Sequence, residues 1–454
     1  MSAAGSSLYE ILTLESNDKS KTVDLRLGAV SIDYYEDIFS PTITAKVRVI
    51  NTGDSITNDK SDKLESIYNG LPLRGGERLR MKISDEGKTY DGKEKPGLDF
   101  ATTLEKYLYV SSITDVISQS QKESFLLNLV SREAITNETA RVFKKYQGTI
   151  DQSVTAILKN VLKTTRFDKE NGIDKAQNKY SFIGNSKKPF TTLVWLASKA
   201  VPVSSGDVTA GFVFYQTKDG FKFKSIDGLI GQEPKATYYY SEVNESGVEL
   251  NNDFKILNYS TNKNQNLIEK LRLGAYSSER FFFDPLTGKL TPPEKRKFQL
   301  KKYKDGLKNL GTEGKISLPK LSENSTESLG DAPTRILVDI LSIGTLNNGV
   351  STQKNADPSE YAAQSIMRYN LLLTQSISMM VPCNTDLNAG DVINCAFPKV
   401  SSSDTDEFDP EVSGPYIIKE LCHHFEPNNS YTSLKLVRDN FGPYNGERNT
   451  AKKK

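Results

Sequence analysis

A mainly β protein of the α+β class is what this sequence predicts, and three observations predict it. Apolar and polar residues alternate through both ends of the chain, the period of strands with one wet face. Two stretches in the middle carry instead the 3.6-residue period of amphipathic helices. The β-rich ends also repeat one another in a fixed order. The expected architecture is therefore a duplicated β unit around a mixed α/β centre.

The elements follow in chain order. In ITAKVRVI, Ile43, Ala45, Val47 and Val49 are apolar, while Thr44, Lys46 and Arg48 are polar. RLRMKI repeats the pattern, with Leu79, Met81 and Ile83 against Arg78, Arg80 and Lys82. Residues 149–165 place Val154, Ile157, Leu158, Val161 and Leu162 on one helical face, with Asp151 near the start. Residues 187–201 make a second helix, its expected inner face being Phe190, Leu193, Val194, Ala197, Ala200 and Val201, with the single tryptophan, Trp195. LLLTQSISMMV returns to strand, with Leu371, Leu373, Ile377, Met379 and Val381 on one parity.

The repeat is read by laying the two ends together. GGERLRMKI matches AGDVINCAF, with Gly76 over Gly390, Glu77 over Asp391, Leu79 over Ile393 and Ile83 over Phe397. YVSSITDVI matches IIKELCHHF, with Val110 over Ile418, Ile113 over Leu421 and Ile117 over Phe425. LNLVSRE matches LKLVRD, with Leu127, Leu129 and Val130 over Leu434, Leu436 and Val437, then an arginine and an acid, Arg132 and Arg438. Upstream, VRVINTG resembles MMVPCNTD. Gly76, Glu77, Arg132, Gly390, Asp391 and Arg438 are thus the expected signature residues of the duplicated fold.

The chemistry-bearing residues are few. Among 454 residues there are two histidines and three cysteines, and the formal charge is +2. That balance gives no general electrostatic case for nucleic-acid binding. Cys383, Cys395 and Cys422 have no CxxC spacing, which argues against a structural zinc or a disulfide framework. Cys422, His423 and His424 stand together, but the repeat sets them over Thr114, Asp115 and Val116 on a shared strand. Neighbours in a strand point to opposite faces, so the two histidines are expected to be structural. No HExxH, GxSxG or Walker-type loop occurs. No catalytic residue, metal ligand or cofactor site is therefore expected. No apolar run approaches the ~20 residues of a spanning helix, and no secretory leader is read at the N-terminus.

Beyond these patterns, LTQSISMMVPCNTDLNAGDVINCAFP and SGPYIIKELCHHFEPNNSYTSLKLVRDNFG resemble the C-terminal part of baseplate hub subunits of contractile-tailed phages. The likeness is greatest to the T4-like group, including hubs of cyanobacterial phages. KKPFTTLVWLASKAVP, AGFVFYQTKDGFKFKSIDGLI, SERFFFDPLTG, SPTITAKVRVINTGDSI and SREAITNETARVFKKYQGTI agree as well. The resemblance runs from about residue 20 to 442 and departs most over 286–330. More remotely it extends to late-control tail proteins and the hub part of type VI secretion spikes.

The resemblance implies two tail-tube-like β-barrels per chain and a homotrimer forming a pseudo-sixfold ring. That ring would join the sixfold tail tube to the threefold central spike. Its implied partners are the spike, tail tube or tube-initiator proteins, the tape measure protein and baseplate wedge proteins. DNA would pass through the lumen without specific binding. The implied place is the virion's tail baseplate, assembled in the host cytoplasm, with no enzymatic activity. The alternatives are a tail-associated cell-wall hydrolase, a hub-like part of another contractile injection system, or a cellular β-rich adaptor.

The expected domains are 1–132, the first barrel; 133–235, a mixed helical and β domain; and 236–275 with 365–442, the second barrel. Residues 276–364 form an insertion within the second barrel, and 443–454 a basic disordered tail. The basic run Lys295, Arg296, Lys297, Lys301 and Lys302 reads as a solvated linker or as a contact to an acidic baseplate partner.

Overall fold

The computed structural model describes residues 7–51, 56–57, 64–71, 73–119, 122–203, 209–240, 252–263, 266–285, 288–300, 309–311, 318–340, 358–399, 408–409 and 411–440. The first β stretch holds β1 (Ser7–Glu15), β2 (Thr22–Asp24), β3 (Ala29–Asp37), β4 (Thr44–Asn51), β5 (Arg78–Asp85), β6 (Leu98–Phe100), β7 (Leu108–Ser118) and β8 (Glu123–Ser131). The alternation read from the sequence sets its faces. Leu79, Met81 and Ile83 of β5 are buried, as are Ala45, Val47 and Val49 of β4. Each of the larger side chains taken from water, Ala45 aside, contributes ~1.5–3 kcal/mol.

The mixed segment follows. It carries α1 (Arg132–Thr139), α2 (Ile150–Asn160), α3 (Pro189–Ala197), the hairpin β9 (Phe212–Thr217) and β10 (Gly220–Ser225), and α4 (Ile226–Ile230). Thr149 and Gln152 close a capping box at the start of α2, and Pro189 opens α3. Val154, Ile157, Leu158 and Leu162 pack with Phe190, Leu193 and the phenylalanines of the hairpin into a second core. Val194 departs from expectation. It is 47% exposed, because α3 ends at Ala197 and buries a single face.

The second β stretch holds β11 (Thr237–Tyr239), β12 (Asn258–Lys263), β16 (Gln375–Pro382), β17 (Val392–Ala396), β18 (Gly414–Phe425) and β19 (Tyr431–Arg438). Between them, β13 (Ser277–Asp284), β14 (Lys297–Gln299) and β15 (Arg335–Ile340) belong to a separate small sheet. Helix α5 (Pro358–Leu372) follows it. Leu371 lies in that helix, not in the strand predicted for it, and β16 begins only at Gln375. The expected boundary between 364 and 365 also falls inside α5.

The two β stretches share one sheet of 14 strands among the described residues. Its order is β12-β16-β19-β18-β3-β4-β8-β7-β5-β1-β2, with β6 beside β5, β17 beside β18 and β11 beside β17. Their inward side chains form one core, from Leu12 and Leu14 to Leu434 and Leu436. The class is α+β and mainly β. The pairings recur between the stretches: β3 with β4 as β12 with β16, β4 with β8 as β16 with β19, β8 with β7 as β19 with β18, and β7 with β5 as β18 with β17. All eight are antiparallel. The recurrence stops at the next strand, where β1 runs antiparallel to β5 but β11 runs parallel to β17.

Candidate functional site: the repeated corner and the seam between the copies

The turn entering β5 recurs at the start of β17. Gly76 has φ +94° and Gly390 φ +91°, a region open to glycine and strained for other residues. The Gly76 N–H donates to the Val110 carbonyl at 2.7 Å, and the Val110 N–H donates to the Glu77 carbonyl at 2.9 Å. In the second copy Gly390 donates to Ile418 at 2.8 Å, and Ile418 donates to Asp391 at 2.9 Å. Each acid caps its own turn. Glu77 accepts from the Arg74 N–H at 2.7 Å, and Asp391 accepts from the Asn388 N–H at 2.9 Å. Burial raises the Asp391 carboxyl, opposed by Lys235.

Alanine at these glycines tests the corner. At Gly76 a Cβ would meet the Asn17 side chain at 3.0 Å, whereas at Gly390 it would run into the Tyr215 hydroxyl. Gly76→Ala is expected to cost about 1–2 kcal/mol from backbone strain, and Gly390→Ala about 2–4 kcal/mol from strain plus overpacking. Urea midpoints measure both. Equal losses would contradict the assigned contacts.

A bulge recurs just past the corner. Along β7 the register with β8 shifts so that Ser111 is skipped, and along β18 the register with β19 shifts so that Lys419 is skipped. Beyond it Thr114 faces Leu126 and Cys422 faces Ser433, still in step. The first copy then takes an extra residue at Asp115, whose φ is +51°, and Ile117 faces Ser124 where His424 faces Tyr431. The matches of His423 with Asp115 and His424 with Val116 therefore slip by a residue.

The arginine match also fails. Val130 and Val437 are equivalent by register, so Arg438 takes the place of Ser131 and not of Arg132. Arg438 is buried at the end of β19, its Nη1 donating to the Ser413 carbonyl at 3.0 Å. Arg132 opens α1 and donates to the Lys163 carbonyl at 3.0 Å.

The seam lies where β18 pairs with β3, from Glu420 opposite Asp37 to Phe425 opposite Ile32. His423 and His424 turn to opposite sides of it. His424 Nδ1 is 2.6 Å from Asp33 Oδ1, its Nε2 is 3.2 Å from Glu426 Oε1, and its ring stacks on Tyr431. His423 is fully buried, stacked on Tyr34, with Nδ1 2.9 Å from Thr432 Oγ1. Burial, then the nearby Lys218 ammonium, push its pKa down to about 3.

That shift sets a pH dependence. A neutral buried histidine favours folding above its ordinary value near 6.5, and the contribution is lost as pH falls from there toward 3. His423→Gln is expected to remove about 3 kcal/mol of the stability lost between pH 7 and pH 4. Urea unfolding across that range checks it, and identical acid slopes in the two proteins would contradict it.

Two charged residues not singled out from the sequence hold the parts together. Glu36 on β3 is buried, and its carboxylate accepts from the Tyr34 hydroxyl at 2.8 Å, the Lys218 N–H at 2.6 Å and the Ala389 N–H at 2.8 Å. It thereby joins the first copy, the mixed segment and the second copy. Burial lifts its carboxyl to about 7, opposed by Lys218. Arg368 on α5 is fully buried and bridges Asp227 Oδ1 at 2.7 Å and Asp439 Oδ2 at 3.1 Å. Beside the seam an open depression of about 570 Å³ is lined by Asp33, Tyr35, Asp37, Glu420, Cys422 and Lys435, among others. Among the described residues no group of three or more His, Cys, Asp and Glu side chains is placed to hold a metal.

The basic run is divided. Arg296 lies over the Phe281 ring at 4.8 Å and donates to the Thr291 carbonyl at 2.9 Å, so it serves the packing around β13. Lys295 is exposed and Lys297 half-buried. Lys301 and Lys302 fall outside the described residues.

No family model matches the sequence. The chain is 25% identical over 312 residues to the probable baseplate hub protein gp334 of Vibrio phage KVP40, a match covering 66% of this chain and 67% of that protein. Two solved structures align over nearly the whole chain with little sequence identity. The tail protein of Neisseria meningitidis MC58 has a TM-score of 0.47 at 9% identity, covering 95% of this chain and 97% of that one. The 43 kDa tail protein of prophage MuSo2 from Shewanella oneidensis has a TM-score of 0.49 at 8% identity, covering 95% and 98%. By its sequence, this chain is similar to a phage baseplate hub protein.

Proposed function

We propose that the chain is a structural, non-enzymatic hub subunit of a phage tail baseplate, working as a homotrimer with its two β units in equivalent places around one ring. The observation that carries this reading is the recurrence, within one chain, of four strand pairings with the same glycine corner and the same bulge. Two like units in each of three chains make six like units. Such a ring can meet a sixfold tail tube on one side and a threefold spike on the other. The tape measure protein and then DNA would pass through its lumen, and tube-initiator and wedge proteins would hold it from outside. A formal charge of +2 suits a lumen that must not retain DNA.

Imaging the chain assembled with the spike and tube proteins of its own phage tests the proposal. Three copies in one ring, each filling two of six similar lobes, is the expected result. A ring of six chains, or one chain per spike, would overturn it. The purified chain is also expected to release no soluble fragments from peptidoglycan. Cleavage abolished by a single substitution would overturn the non-enzymatic part.

A further inference from the structure

We infer that the outer edge of β7, Ser112–Ser118, docks the edge of β12 that no described strand pairs, from a second copy of this chain, forming an antiparallel strand pair between protomers. The inference rests on the ring reading above and says which edges close it.

The argument comes from comparing equivalent strands. β18 is paired on one side by β19 at Ile417–His424, and on the other by β17 at Gly414–Ile417 and by β3 at Glu420–Phe425. β7, its counterpart, is paired along one side by β8 and on the other by β5 at Leu108 and Tyr109 alone. Val110 bonds there to the Gly76–Glu77 corner, and from Ser112 on no described strand pairs with that edge. The counterpart of β3 is β12, since β3 pairs β4 as β12 pairs β16. β12 begins the sheet and has no second neighbour among the described residues. One chain thus contains the β18·β3 junction once, and carries the two unused halves of the same junction at separate places.

Burial agrees. Leu421, His423 and Phe425 of β18 are buried, whereas Ser112 and Thr114–Ser118 of β7 are exposed, Ile117 at 57%. On β12, Asn258, Ser260, Thr261 and Asn262 are exposed. Bare strand edges template pairing and are normally covered or blocked. No proline interrupts either edge. A second copy is the occupant because this sequence already makes the same junction with itself. Joining β7 of one chain to β12 of the next is a head-to-tail contact that closes after three chains if each of the two junctions turns by one sixth of a circle.

Register follows by counting rows across the sheet. His424 pairs with Asp33. Ile117 occupies the row of His424, and Ser260 that of Asp33, since Asp33 faces Lys46 as Ser260 faces Ser378. Ile117 should therefore face Ser260 of the neighbouring chain.

The test is disulfide trapping of the full chain carrying Ile117→Cys with Ser260→Cys. The two single-cysteine variants, the parent and an Ile117→Cys with Leu290→Cys pair serve as controls. After mild oxidation the paired variant should give a covalent three-chain species with no free introduced thiol. Its yield should be about tenfold above any control, because docking raises the local thiol concentration. Sedimentation before oxidation, with and without the spike protein, reports association independently. Three-chain assembly without this crosslink would overturn the assigned edges and leave the ring reading standing. No assembly and no crosslink would overturn both. Crosslinked ladders running past three chains would support the strand pair and overturn the closed ring.

Discussion

Glu36→Ala is expected to destabilise the protein by about 3–5 kcal/mol. Two buried donors, the Tyr34 hydroxyl and the Ala389 N–H, and the half-buried Lys218 N–H lose their acceptor, and each buried orphan costs about 1–3 kcal/mol. Part of that loss is offset, because the substitution also removes a carboxylate whose ionisation burial opposes. The offset depends on pH. The folded value is raised to about 7 from 4.5, so the wild-type contribution is full below the lower value and is lost as pH rises through the upper one. The penalty of the substitution should then be about 3 kcal/mol larger at pH 4.5 than at pH 8. Urea unfolding at those two values decides it, and a penalty independent of pH would contradict the assigned environment.

Arg368→Met should cost a similar amount, about 3–5 kcal/mol, because it leaves two buried carboxylates without their cation. Those carboxylates have other work. Asp227 accepts from the Thr209 N–H at 2.9 Å, and Asp439 accepts from the Leu310 N–H at 3.0 Å. The substitution therefore loosens the mixed segment, the chain near residue 310 and the end of β19 together. Burial already raises the Asp439 carboxyl, and Arg368 opposes that rise. Without the guanidinium Asp439 is raised further, so the variant should lose less relative to wild type at pH 4 than at pH 7. Adding Asp439→Asn should restore part of the loss. A single-variant loss below about 1 kcal/mol would fit an exposed pair and not this one.

Alternation made the strands legible, since β4 and β5 bury the parity that is apolar in sequence. The corner was legible too, because a glycine followed by an acid stands at the same distance from matching strands. The run from Leu371 to Leu373 misled because a short apolar run suits a strand or a helix end equally. The arginine match misled because one residue of slip turns a strand position to its other face. The seam left no trace in spacing, as His424 and Asp33 are 391 positions apart. Glu36 did leave one. It shares the inward parity of Ile32 and Tyr34, and an acid on the inner parity of a strand announces a buried partner. Arg368 sits likewise one turn from Gln364 and one from Leu372, both buried.

The seam also fixes an order of events during synthesis. β3 leaves the ribosome about 20–80 s before Phe425 does, at the usual elongation rates. Until then one edge of β3 lacks its partner, and of the three donors to Glu36 only the Tyr34 hydroxyl is made with it, the Lys218 and Ala389 N–H groups following later. The first β unit is therefore completed by strands translated long after it, and a chain broken off before β18 presents the bare edge of β3 to chaperones and proteases.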